Sequence, residues 1–260
     1  MGYDPDSVTI GFYGKLPARG DFLTRHLPRK FVSVWDDWLQ TGLNDSRNVL
    51  NERWLDIYLT SPLWRFALSG GICGDGGWAG VMLPSMDRVG RYFPFTVAMS
   101  LPETMTPLGA AITQRDWFRQ VEELSLAALD DDDIDPGTLD EDLAAVSLEA
   151  GDEAHSCEEP SPVISPADLS TGVRVPLGKD LDSSRIVIGM ACAWLDRQVE
   201  QHSLWWTEGS EVMSPSLLCH PGLPTAKQFC ALLDGSWADQ GWSDPAGSPQ
   251  SSEEPDVVQP

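Results

Sequence analysis

Two short stretches concentrate the side chains whose types and spacing could do chemistry. The first, Gly11-Phe12-Tyr13-Gly14-Lys15-Leu16-Pro17-Ala18-Arg19-Gly20-Asp21-Phe22, sets a lysine, a proline and an Arg-Gly-Asp triplet between aromatic residues. The second, Ser85-Met86-Asp87-Arg88-Val89-Gly90-Arg91-Tyr92, repeats the theme of arginines and an aspartate around a glycine. Guanidinium and carboxylate groups at this spacing make charge-assisted hydrogen bonds; they do not by themselves break covalent bonds. Arg19, Arg88 and Arg91 set against Asp21 and Asp87 suggest a polar network at the end of a sheet. Bracing of the two turns and presentation of charge to a partner are both compatible with that pattern.

Other chemistries find less support. The four histidines, His26, His155, His202 and His220, are far apart, and adjacent residues such as Cys219-His220 on a strand face opposite ways, so no metal-ligand cluster is expected. The glycine-rich run Gly70 to Gly77 lacks a Gly-Lys-Ser/Thr ending and precedes a strand pattern instead of a helix, which argues against a phosphate loop. No serine sits in a Gly-x-Ser-x-Gly elbow, and no cysteine has neighbours that would lower its pKa. Asp36 and Asp37 fall on the polar face of an amphipathic helix and read as solvated. Of Trp205-Trp206 on a strand, one ring faces the core; the other is expected beneath a covering helix.

The elements that must position these groups can be read from periodicity. Val8 to Tyr13 is a strand. Phe31, Val34, Trp35, Trp38 and Leu39 recur at helical spacing, with Gly42 ending the helix. Leu50, Trp54, Ile57 and Tyr58 mark a second helix, and Ser61-Pro62 opens a third, short one holding Leu63, Trp64 and Leu68 by the N-cap-then-proline rule. Trp78–Leu83 and Phe93–Leu101 read as neighbouring antiparallel strands, with Asp87, Arg88 and Arg91 at their connection. Trp117, Val121, Leu124 and Ala128 mark a further helix. Thr138 and Glu141 have capping-box spacing ahead of Leu139, Leu143 and Val146. Ser184 to Gln201 reads by its length as a helix, its first half being equally compatible with a buried strand; Ser203–Thr207 and Met213–Cys219 read as two short strands, and Pro224 starts a last helix that ends at Gly235.

The net charge of −23 is unevenly spread: Asp130 to Glu159 carries 13 acids, Ser243 to Pro260 carries 4, and neither has a lysine or arginine, which leaves −6 for the remainder. Without a basic stripe such a chain is repelled by nucleic-acid backbones and anionic membranes, so neither is expected as a partner. Residues 151–166 are rich in Glu, Asp, Ser and Pro, a composition that does not order itself. Five widely spaced cysteines without a Cys-x-x-Cys, an N-terminus without signal-peptide character and the lack of a long apolar run give the expectation of a cytoplasmic protein with free thiols.

The chain resembles the TagF family of type VI secretion-associated proteins. The resemblance rests on an ordered set: Gly11 to Phe22, Trp35-Asp36-Asp37-Trp38-Leu39-Gln40, Ser61-Pro62-Leu63-Trp64-Arg65-Phe66-Ala67-Leu68, Trp78 to Pro94, Ser203-Leu204-Trp205-Trp206-Thr207-Glu208-Gly209-Ser210, and Gly222-Leu223-Pro224. It reaches from about Ile10 to about Trp237 and does not extend to the acidic region from Asp130 to Pro166. It implies a non-enzymatic cytosolic regulator in a Gram-negative bacterium. Such a protein holds the secretion machine inactive by binding and sequestering a forkhead-associated-domain scaffold protein.

The resulting expectation is an α+β fold, an antiparallel sheet flanked by helices, in one domain over residues 1–242 with an acidic insertion at 130–166 and a disordered tail at 243–260. No cofactor, metal or small-molecule ligand is expected. Lys15, Pro17, Arg19, Asp21, Phe22, Ser85, Asp87, Arg88 and Arg91 are the expected partner-binding residues. The competing readings are an accessory hydrolase or phosphatase-like enzyme, which would gather Asp21, Asp87 and a histidine around one cavity, and a structural subunit of the machine.

Overall fold

The computed structural model of the protein describes residues 8–146, 148 and 199–243. Its strands are β1 (Ile10–Gly14), β2 (Leu23–Arg25), β3 (Trp64–Leu68), β4 (Trp78–Leu83), β5 (Phe95–Ser100), β6 (His202–Thr207) and β7 (Ser216–Pro221). They form one seven-stranded sheet in the order β2-β1-β5-β4-β3-β6-β7, and every neighbouring pair is antiparallel. The helices are α1 (Arg29–Leu50), α2 (Trp54–Thr60), α3 (Pro107–Thr113), α4 (Arg115–Asp130), α5 (Pro136–Ala145) and α6 (Ala226–Asp234), with a single 3-10 turn, Asn51–Arg53, between α1 and α2. This is the α+β class expected from the sequence.

Each face of the sheet has its own core. On one, α1, α2 and α6 bury Trp35, Trp38, Tyr58 and Phe229 against Trp64, Phe66 and Trp205. On the other, α4 and α5 bury Trp117, Phe118, Val121, Leu139 and Leu143 against Phe12, Val81 and Phe95. Strands β4 and β5 are covered on both faces and buried at every position. That explains why their sequences are continuous apolar runs, not the alternation of a half-exposed strand. The indoles carry a polar atom that burial would orphan, so most find an acceptor: Trp35 Nε1 donates to Thr96 Oγ1 (3.0 Å), Trp38 Nε1 to the Pro224 carbonyl (2.7 Å), and Trp64 Nε1 to the Leu232 carbonyl (2.8 Å). Trp206 lies on the α4 face, edge-on to Phe118 with ring centroids 4.8 Å apart, so a helix covers it as expected.

Three local expectations are corrected. The helix expected after Ser61-Pro62 is instead strand β3, in the middle of the sheet and paired to β4 and β6; tertiary pairing overrides a local start signal, and Trp64, Phe66 and Leu68 already share one face at period two. Gly42 does not end α1. A Cβ there would lie 2.4 Å from the Phe229 ring, so this glycine lets α6 approach, and the helix continues to Leu50. Helix α5 is capped by Asp135, whose side chain accepts from the Gly137 N–H ahead of Pro136 at the first helical position, and not by a Thr138–Glu141 box. Strand β2 and helix α3 were not anticipated. Residues 184–198 of the helix expected from Ser184, residues 149–166 of the acidic insertion and the tail from 244 lie outside the described residues.

A pair of braced loops as the candidate recognition site

Strand β1 ends at Gly14, where φ is +132° and a Cβ would strike the Pro94 carbonyl oxygen, so the position requires glycine. The chain then turns tightly, the Arg19 N–H donating to the Leu16 carbonyl (3.0 Å), and returns as β2. The β4–β5 connection closes on itself: Met86 bridges Tyr92, and the Phe93 N–H donates to the Ser85 carbonyl (3.0 Å). Because β1 pairs with β5, both loops emerge at the same end of the sheet. The Arg88 N–H donates to the Arg19 carbonyl at 3.0 Å, linking them directly.

Asp87 is the centre of the join. Its side chain is 0% exposed. Oδ1 accepts from the Val89 N–H (3.1 Å) and Arg91 N–H (2.9 Å), while Oδ2 accepts from Lys15 Nζ (2.7 Å) and Arg91 Nε (2.7 Å). Burial by itself pushes this carboxyl up. The hydrogen bonds from Lys15, Arg91 and Val89 outweigh it and hold the group well below the ordinary carboxylate range. The Lys15 side chain is 5% exposed and its ammonium also sits 4.8 Å from the centroid of the Phe22 ring. Ser85 completes the brace: its hydroxyl donates to the Lys15 carbonyl (2.7 Å), while Tyr58 of α2 donates to the Ser85 carbonyl (2.9 Å) and accepts from its N–H (3.0 Å).

The nine expected residues are thus brought together, and they divide into two groups. Lys15, Ser85 and Asp87 are buried and fully engaged with one another. Pro17 and Arg19 are partly covered, and Asp21, Phe22, Arg88 and Arg91 are exposed. Arg91 reaches across to the Gly20 carbonyl and lies 4.0 Å from Asp21. Arg19 pairs with Asp135 at the start of α5 (3.4 Å). Phe22 is 46% exposed although it stacks on Tyr13 and meets Phe93 edge-on. Met86 and Val89, absent from the sequence-based set, are exposed at 40% and 69%. Their signal was an apolar residue at each flank of a charged turn, which periodicity does not flag.

No carboxylate–histidine constellation forms here. Asp87 has its acceptors filled by Lys15 and Arg91, Asp21 stands in solvent, and the described histidine nearest in sequence, His26, pairs with Asp140 (2.9 Å). Among the described residues no group of His, Cys, Asp and Glu is arranged to hold a metal ion, and no helix is long and apolar enough to cross a membrane.

Comparison with known proteins places this geometry in a family. Residues 11–146, which contain both loops, match the family model described as TagF N-terminal domain, type VI secretion system-associated. The crystal structure of PA0076 from Pseudomonas aeruginosa PAO1 superposes with a TM-score of 0.68 at 36% sequence identity, covering 87% of this chain and 94% of that one. A search of curated proteins finds no match.

Proposed function

Because the chain belongs to the TagF family of type VI secretion system-associated proteins, we propose that it is a non-catalytic negative regulator of that machine, acting in the cytoplasm. In this reading it sequesters a forkhead-associated-domain scaffold protein through the paired loops. The observation that carries the reading is the Asp87-centred brace. A buried lysine, an arginine, two backbone N–H groups and a serine fix both loops before any partner arrives, so the exposed Arg88, Val89, Met86 and Phe22 are presented on a backbone that pays little further ordering cost at binding. Apolar and arginine side chains on a rigid base are the composition expected of an interface centre. An interface of ordinary size would bury about 800 Å² per partner.

The test is titration calorimetry of purified scaffold against the wild-type chain and against Arg88→Glu and Val89→Asp. Neither side chain makes a bond that holds the fold, so melting temperatures stay within a degree or so while affinity falls by about tenfold or more. Secretion assays in cells should show release of repression in step. Unchanged affinity and unchanged repression in both folded variants would refute this surface. Binding lost without release of repression would refute sequestration as the mechanism.

A further inference from the structure

The two edges of the sheet are not alike. The β2 edge has only three residues, carries exposed Arg25 and is short enough to discourage pairing. The β7 edge has six residues, Ser216-Leu217-Leu218-Cys219-His220-Pro221, and no lysine, glutamate or other charge guards it. Across the β6–β7 pair the Gly222 N–H donates to the Gln201 carbonyl (2.9 Å), so His202↔Pro221 is a wide pair and Ser203↔His220 a narrow one. By the antiparallel alternation, Ser216, Leu218 and His220 spend their backbone groups on β6, while Leu217, Cys219 and Pro221 turn theirs outward. The proline therefore sits where its missing N–H is no loss to the ladder. Among the described residues nothing pairs with the outward N–H and C=O groups of Leu217 and Cys219, and Leu217 is 69% exposed beside them.

We propose that β7 accepts an extended strand from a partner protein, with apolar residues alternating along it and basic residues at its ends. Backbone pairing to Leu217 and Cys219 supplies the hydrogen bonds, and Leu217 offers the apolar contact. The basic ends follow from what flanks the edge: Glu211 precedes β7, Glu200 lies beside its far end next to Gln201, and both are exposed. A second copy of this chain is the poorer occupant. It would bring the same acids into register and add to a net charge of −23, which opposes self-association. This surface is separate from the paired loops, so either can fail without the other.

The test screens the full chain against a displayed library of random peptides, then measures the enriched peptides by fluorescence anisotropy. Enriched peptides should alternate apolar residues between lysines or arginines, bind more weakly as salt rises, and slow amide exchange at Leu217 and Cys219. Cys219→Pro deletes an outward donor while sparing the β6 ladder and should weaken binding about tenfold. Leu217→Lys, which cannot disturb the backbone pairing, should do the same by repelling the basic ends and carries the test if the proline variant fails to fold. No enriched peptide, wild-type affinity retained by both variants, or protection of amides elsewhere would overturn the proposal. Dimers in sedimentation that Leu217→Lys dissolves would also overturn it, since the edge would then belong to a second copy.

Discussion

Replacing Asp87 by asparagine keeps the shape of the side chain and removes its charge. The Lys15 ammonium, 5% exposed and 2.7 Å from Oδ2, then faces a neutral amide in a space closed by Phe22. Removing one partner of a buried pair costs about 3–5 kcal/mol, because the orphaned charge remains desolvated. The Arg91 contact adds little, since that side chain is 58% exposed and can rehydrate. Against a typical total of about 5–15 kcal/mol the loss is large; in a domain of this size it lowers the melting temperature by roughly 6–20 °C. Urea unfolding followed by tryptophan fluorescence should show a lower midpoint with an unchanged slope. The diagnostic is a cycle with Lys15→Met: if the orphaned ammonium is the cost, the double variant is more stable than Asp87→Asn alone, with a coupling of about 0.5–3 kcal/mol. A penalty under about 0.5 kcal/mol, or strict additivity, would refute the brace. Acid titration offers a second reading. Asp87 titrates lower in the folded chain than its ordinary 3.8, so the unfolded state takes up the proton first. Its stabilisation is complete above that value and drains away as pH falls below it towards the folded value. Asp87→Asn should flatten this acid limb.

Other perturbations follow from the same geometry. Tyr58→Phe strips the hydroxyl that both donates to and accepts from Ser85; the Ser85 carbonyl keeps the Phe93 N–H, but the buried Ser85 N–H is left unpaired, which should cost about 1–3 kcal/mol in the same urea assay. Gly42→Ala improves helix propensity by about 1 kcal/mol yet drives a Cβ to within 2.4 Å of the Phe229 ring, so the net effect should be destabilising; a stabilised variant would show that α6 is free to shift. In a background with Cys157 and Cys192 replaced by serine, a thiol reagent should modify exposed Cys219 in the native state. Cys73 and Cys230, whose thiols burial pushes up to about 12 and about 11, should react only on unfolding.

The sequence exposed the sheet's interior well and its margins poorly. Trp78–Leu83 and Phe95–Ser100 were legible because burial on both faces demands unbroken apolar runs. Helix α4 was legible because Trp117, Val121 and Ala128 repeat at its period. Strand β3 was hidden by a start signal that is valid locally and irrelevant once β4 and β6 pair on either side of it. Gly42 read as punctuation because only the distant Phe229 gives it another purpose. Strand β2, at three residues, is too short to leave a pattern. In the candidate site the residue types were visible but their division of labour was not. That Lys15 is buried depends on Asp87, 72 positions away, and on Phe22 closing over it, neither of which a local window contains.

The strand order also sets a timetable for synthesis. Everything needed to assemble β2-β1-β5-β4-β3 with α1 to α5 has left the ribosome once Ala145 has emerged, and β1 already finds β5 within that segment (Ile10↔Met99). The partner of β3 comes much later, since Arg65 pairs with Trp206. Until β6 and α6 arrive, the nascent chain holds a bare β3 edge, with Trp35, Trp38 and Phe66 lacking the rings of Trp205 and Phe229 that pack on them in the finished fold. Loop length adds little to the thermodynamic cost of this delay, about 0.6 kcal/mol per doubling, but it lengthens the exposure in time. Premature termination between Val146 and Gln201 would release a chain with an open strand and an uncovered aromatic face, a species prone to aggregation and proteolysis.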